Sequence, residues 1–262
     1  MIDLANQGAG FLDTCSGLLQ RMIEVVPSNV KLSEVITPMQ VKPINATLDF
    51  DASGDLIFKG YIRVISISDP ASRLGLISQQ ILTSASSSAP SVLTLTTSSN
   101  PNPIVLTPEA DTGASVFGTT QFFPFSTPIA SPSSFCTLTI NGNNLAPHTF
   151  AVQTDAFIVP SLSSLSSGSS TKVNFVVAVL PSKGYFKKRS SPPTVSVSAP
   201  VPQMGTLGPA ILSFGDVAVT SVGTKAGYEL WSGSVDFGVL ATGNVTVEVV
   251  SGGVTIDTLL LG

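Results

Sequence analysis

Asp55-Leu-Ile-Phe-Lys-Gly-Tyr-Ile-Arg-Val-Ile-Ser-Ile-Ser68 alternates in character along its length. On an extended chain Leu56, Phe58, Ile62 and Val64 share one face and Lys59, Tyr61 and Arg63 the other, with Ile57 and Ile65 as apolar exceptions on the second. The period is two rather than 3.6, so the stretch predicts a half-buried strand. The same alternation recurs in Cys136, Leu138 and Ile140, in Val173, Phe175, Val177 and Val179, and in Val195 and Val197. It returns in Val245, Val247 and Val249, and in Val254 and Ile256. Asn141-Gly142, Ser182-Lys183-Gly184, Pro192-Pro193 and Ser251-Gly252-Gly253 supply turn chemistry between these runs. Many short strands without intervening helices predict a mainly β fold, an antiparallel sandwich or, as expected for a chain of 262 residues, a pair of them.

One amphipathic helix precedes the β region. From Gly10 to Val26, Phe11, Cys15, Leu18, Leu19, Met22, Ile23 and Val26 recur at three- and four-residue spacing, and Pro27 stops the run. A lone helix needs a surface to cover its apolar stripe, so Leu18, Leu19, Met22 and Ile23 are expected to pack on a partner domain. The expected organisation is a helix and connector over residues 1–37, a first β-sandwich over 38–170 and a second over 171–262. The serine-rich stretch from Pro160 to Ser170 serves as the boundary or as an exposed loop.

Composition excludes several function classes. Sixteen acidic and 12 basic residues give a net charge of −4, which offers no cationic field to a phosphate backbone, so nucleic acid is not an expected partner. Only 11% of residues are charged, whereas there are 37 serines and 25 threonines, so the polar surface must consist of hydroxyls and amides, as on extracellular proteins. No apolar run reaches the ~18 residues of a membrane span. Met1 to Gln7 lacks the cationic and apolar regions of a secretory signal, which is expected of a chain missing its true start.

Candidate chemistry is sparse. A histidine-based metal site, a histidine-ligated haem or a Ser-His-Asp triad would have to run through His148 alone, and a surface loop histidine is expected instead. Asp111-Thr112-Gly113-Ala114-Ser115 matches the core around an aspartic protease carboxylate, but Pro108, Glu109 and Ala110 precede it and no second copy exists. Asp49, Asp51 and Asp55 are spaced like the first calcium ligands of a helix-flanked loop; Gly60 at its twelfth position and strand-like flanks predict a hairpin turn. No catalytic or cofactor-binding residue is assigned. Tyr228 with Trp231, and Tyr61 with Tyr185, are candidates for a sugar-stacking platform. Asn45-Ala46-Thr47 and Asn244-Val245-Thr246 are N-glycosylation sequons, Lys187-Lys188-Arg189 is the one basic cluster, and Cys15 and Cys136 make one disulfide or remain two thiols.

Phe11-Leu-Asp-Thr-Cys-Ser-Gly-Leu-Leu-Gln-Arg-Met-Ile-Glu-Val-Val-Pro-Ser-Asn-Val30, followed by the stretch from Val35 to Pro43, resembles the junction in secreted fungal haem peroxidases where the last helix of the peroxidase domain enters a β-rich C-terminal region. Gly60 to Val64, Phe122 to Phe135 and Trp231 to Val235 extend the resemblance over most of the chain. It implies a secreted, non-catalytic tail that packs on an upstream peroxidase domain or attaches it to cell-wall polysaccharide. Haem would belong to the full-length relatives, because no residue here matches their haem-ligating histidine or peroxide-cleaving histidine and arginine. The alternative is a stand-alone carbohydrate-binding or adhesin-like sandwich.

Overall fold

The computed structural model describes residues 10–24, 39–66, 90–110, 113–115, 118–143, 145–181, 192–205 and 207–262. The chain divides into two units, Met1–Pro38 and Met39–Gly262. In the first, helix α1 spans Gly10–Glu24, with Asp13 in its first turn and Arg21 in its last, the charge placement that the helix dipole favours. Leu18, Leu19 and Met22 are exposed on it, and the side chain of Ile23 lies outside the described residues.

The second unit is built of strands joined antiparallel into four sheets. Sheet A orders β1 (Val41–Phe50), β2 (Leu56–Ser66), β6 (Gly118–Pro128) and β5 (Gly113–Ser115) from edge to edge. Sheet B orders β4 (Asn100–Leu106), β3 (Leu93–Thr97), β7 (Thr137–Gly142) and β8 (Leu145–Ala151). Their inward residues, among them Ile62, Val64, Phe123, Leu95 and Leu138, form one buried core. Sheet C orders β10 (Ser164–Ser167), β11 (Thr171–Val179), β15 (Tyr228–Asp236) and β14 (Val219–Lys225), with β9 (Ala156–Ile158) also paired to β11. Sheet D orders β13 (Ala210–Phe214), β12 (Thr194–Val201), β16 (Val245–Ser251) and β17 (Val254–Leu261), and closes a second core over sheet C. The mainly β, sandwich-like class with a single helix among the described residues is the one that the alternating runs predict.

The centre of sheet C, the second half of β11 with the first half of β15, is buried on both faces. Val173, Phe175, Val177 and Trp231 enter the core shared with sheet D, whereas Ala178, Tyr228 and Leu230 enter the core of sheets A and B. Adjacent residues Leu230 and Trp231 thus anchor different sandwiches, as the pleat requires. Across this join Phe157 meets Phe50 at 5.8 Å and Tyr228 edge-on at 5.1 Å, and the Lys225 ammonium lies 5.1 Å from the centre of the Phe50 ring. The Tyr228 hydroxyl donates to the Thr154 carbonyl at 2.9 Å; burial, with the nearby Asp155 charge, pushes its ionisation well above the usual tyrosine range.

Two local features depart from the sequence pattern. Strand β1 carries a bulge between Ile44 and Thr47, so Val41 faces the core before it and Leu48 and Phe50 after it. Gly60 passes opposite, where a Cβ would lie 2.7 Å from the Ala46 Cα, so a side chain there would displace the bulge. The serine-rich stretch from Pro160 is tied down rather than loose: a 3-10 turn at Pro160–Leu162 leads into β10, whose four residues pair with β11. The second sandwich therefore draws β9 and β10 from ahead of residue 171.

A shared core predicts shared unfolding. Phe157→Ala, which empties the join, should cost about 3–5 kcal/mol. Urea titrations followed by Trp231 fluorescence, which reports the second core, and by far-ultraviolet dichroism should show one coincident transition shifted as a whole. Two separated transitions would mean that the sandwiches fold independently.

Candidate functional site

The aromatic pair at Tyr228 and Trp231 requires correction. Tyr228 is fully buried and Trp231 is 8% exposed, because both belong to the doubly covered centre of sheet C, so neither presents a ring to a sugar. The calcium candidates are also separated by their hydrogen bonds. Asp49 is buried and accepts from the Lys59 ammonium at 2.8 Å, the Ser161 hydroxyl at 2.6 Å, the Ser161 amide at 3.3 Å and the Phe50 amide at 2.9 Å. Burial pushes its carboxyl up, and these four donors, led by Lys59, outweigh that and hold it below the usual range. Asp51 instead accepts the Ser53 and Asp55 amides at 2.9 Å each, closing the β1–β2 hairpin turn. Among the described residues no three of His, Cys, Asp and Glu gather closely enough to hold a metal.

The remaining candidates are dispersed. His148 lies partly exposed on edge strand β8 opposite Ile140. Asn45 is exposed at the β1 bulge, and Asn244 is exposed just before β16, so both sequon asparagines face solvent. Cys15 and Cys136 are both free thiols. Asp111, Tyr185 and Lys187-Lys188-Arg189 lie outside the described residues.

Tyr61 is the aromatic candidate on a surface. The outer face of sheet A runs in cross-strand rows: Lys42, Arg63 and Phe122 in one, Ile44, Tyr61 and Pro124 in the next. Pro124 and Lys42 are exposed and Tyr61, Phe122, Ile44 and Arg63 half-buried, while their strand neighbours Ile62 and Phe123 are fully buried on the inner face. The Arg63 guanidinium is anchored by a bond from Nη2 to the Met39 carbonyl at 3.2 Å. Rings of this kind accept the C–H face of a sugar, and flanking cations donate to its hydroxyls. Sequence reasoning missed Phe122 and Pro124, although Phe122-Phe123 on a strand must send one ring to each face.

The outer faces of sheets B and D carry hydroxyls and, among them, exposed aliphatic side chains: Val105 on sheet B, Ile211 and Leu260 on sheet D. Thr96, Thr139 and Thr149 form one cross-strand row on sheet B, where the hydroxyls of Thr139 and Thr149 are 3.1 Å apart. On sheet D, Ser196 donates to Glu248 at 3.2 Å, with Thr258 opposite Glu248. Among the described residues no helix is long and apolar enough to cross a membrane.

Comparison with known proteins yields a short match. Over 68 residues, 26% of this chain, it is 43% identical to a WSC domain-containing protein of Arthroderma benhamiae, and the match covers 9% of that protein's length. No family model matches the chain, and no solved structure matches it. The resemblance to fungal haem peroxidases is thereby corrected: the similarity found runs to a fungal protein of a different family. The peroxidase domain as a partner, its haem and a role in oxidative stress lose their basis with it.

The buried carboxylate gives a prediction with a defined sign. Because the carboxyl of Asp49 is held low in the folded chain, its stabilising contribution is complete above the ordinary aspartate range near pH ~4 and is lost as pH falls through the lower folded value. Asp49→Asn should cost about 1–3 kcal/mol at pH 7, and the gap in Tm between variant and parent should close on acidification. Thermal melts between pH 3 and pH 8 check it; a gap that widens in acid would refute the assignment.

Proposed function

We propose that the chain is a non-catalytic carbohydrate-binding β module of the fungal cell surface, contacting wall polysaccharide through the outer face of sheet A. The observation that carries this reading is the cluster of Tyr61, Phe122 and Pro124 on that face, beside Lys42 and Arg63. Two half-buried rings beside an exposed proline leave an apolar strip on this face that an occupant could cover. A polysaccharide suits this one because its sugar rings offer apolar C–H faces and hydroxyls together.

Three further observations support the reading. The short similarity to a WSC domain-containing fungal protein favours a wall-associated module over an enzyme tail. The surface is solvated by serine and threonine rather than by charge, as suits secretion. Both sequon asparagines are exposed, which makes Asn45 and Asn244 available as N-glycan acceptors.

Retention of the purified chain on insoluble β-glucan and on chitin tests this directly. The chain should be retained on at least one of them. Tyr61→Ala and Phe122→Ala should each weaken binding about tenfold, equivalent to ~1.4 kcal/mol, and Val105→Ala, on exposed β4 of sheet B, should leave it unchanged. Undiminished retention of a folded Tyr61→Ala, Phe122→Ala double variant would remove this face from the function.

A further inference from the structure

A cavity of about 280 Å3 opens where the two sandwiches meet. Strands β1 and β8, the outermost strands of sheets A and B, leave the end of the first sandwich uncapped, and β9 and β17 of the second stand across it. The β1 bulge turns Ala46 and Thr47 onto its wall. Its floor is apolar, made by the buried side chains of Phe58, Leu138 and Phe157. Its rim is polar: Thr47, Gln153, Asp257 and Thr258.

Asp257 is the group the fold leaves unfinished. Its Oδ2 accepts the Ile158 amide at 2.8 Å, tying β17 to β9, and the Thr258 amide also donates to the carboxylate. A carboxylate has about four acceptor positions, so these two amides leave half of its capacity open. No cation is among the groups that act on it, and burial outweighs the two amides and raises its ionisation above the usual aspartate range. Hydroxyl donors entering the cavity would complete it without bringing a charge onto the apolar floor.

Size and polarity together restrict the occupant. At about 280 Å3 the cavity lies at the lower end of ligand pockets, which span roughly 300–1,000 Å3, so it admits one ring and not a continuing chain. An apolar floor under a polar rim matches a pyranose, with C–H bonds on its face and hydroxyls round its perimeter. An anion would meet Asp257. Thr47 belongs both to the cavity and to the outer face of sheet A, where it lies opposite Lys59, so the two sites adjoin across β1.

We propose that the cavity is a subsite for one neutral terminal or branch sugar ring of the polysaccharide that lies on the sheet A face, with Asp257 accepting its hydroxyls. This rests on the carbohydrate-binding reading above and adds to it selectivity for chain ends.

Titration calorimetry with soluble β-glucan and chitin pentasaccharides, run beside retention on the insoluble polymers, tests the subsite. Asp257→Asn removes the carboxylate, and Gln153→Trp plugs the mouth from an exposed rim position that carries no fold contact in the core. Both should lower pentasaccharide affinity on the order of tenfold while changing retention on insoluble polymer, where chain ends are scarce, by less than about twofold. Tyr61→Ala should lower both. Pentasaccharide affinity unchanged in both cavity variants, with retention intact, overturns the subsite and leaves the function standing. A parent chain retained on neither polymer overturns the function and the subsite with it.

Discussion

Burial of the centre of sheet C on both faces is the constraint on which the rest of the molecule depends. A strand covered on one side can alternate apolar and polar residues throughout; β11 does so only as far as Asn174 and is apolar from Phe175 to Val179, and β15 places Leu230 and Trp231 side by side. Val176 packs against the first core from between Phe175 and Val177, and Leu230 and Trp231 follow one another into opposite cores. A sheet in this position welds two sandwiches into one body, because neither can shed it without exposing the aromatic contacts of Phe50, Phe157 and Tyr228. Gly233 shows how tight the arrangement is. It stands directly opposite Phe175, whose ring occupies the space a Cβ would need. The cavity and its neighbouring face follow from the weld, since the end of the first sandwich can be closed only as far as β9 and β17 reach.

Two aspartates at this join, Asp49 buried and Asp257 half-buried, differ in the donors around them. Asp49 has four donors, one of them a cation, and sits below its ordinary ionisation range; its acceptor capacity is used up. Asp257 has amide donors only and sits above that range. The difference lies in the neighbours and not in depth alone, for burial pushes both upward. Asp49 therefore fixes the position of Ser161 and the turn that leads into β10, whereas Asp257 holds β9 to β17 and still has lone pairs to offer. A ligand site on this chain is better sought at the carboxylate that remains short of donors.

Much of the architecture was legible in the alternation of Asp55 to Ser68, Val173 to Val179 and Val245 to Val249, because period two reports a pleated surface with one buried side. What was hidden was hidden for identifiable reasons. The bulge in β1 reverses the parity of its residues, so Val41-Lys-Pro-Ile-Asn-Ala-Thr-Leu48 shows no clean period. Serines in β10 satisfy a backbone ladder without announcing it. Tyr228 and Trp231 drew attention as rare aromatics, yet an aromatic residue signals burial as readily as binding, and only the second sheet packed on sheet C decides which. The peroxidase resemblance rested on the stretch from Phe11 to Pro43 and on a general similarity of pattern over the later segments. No residue of that chemistry accompanied them.

The surface can be weighed in the same physical terms. With 11% charged residues, this chain holds its water mainly through serine and threonine hydroxyls, which bind a sugar no better than they bind water. A net gain on binding has to come from surface that water solvates poorly. The outer face of sheet A offers Tyr61, Phe122 and Pro124, with Ile44 continuing the row to the edge strand and Thr47 carrying it to the cavity wall, whereas sheets B and D offer the aliphatic Val105, Ile211 and Leu260. Lys42 and Arg63 add donors at the border of the rings, where a bound sugar would turn its hydroxyls outward. On the proposed reading, rings would supply the free energy of binding and donors at their margin the orientation.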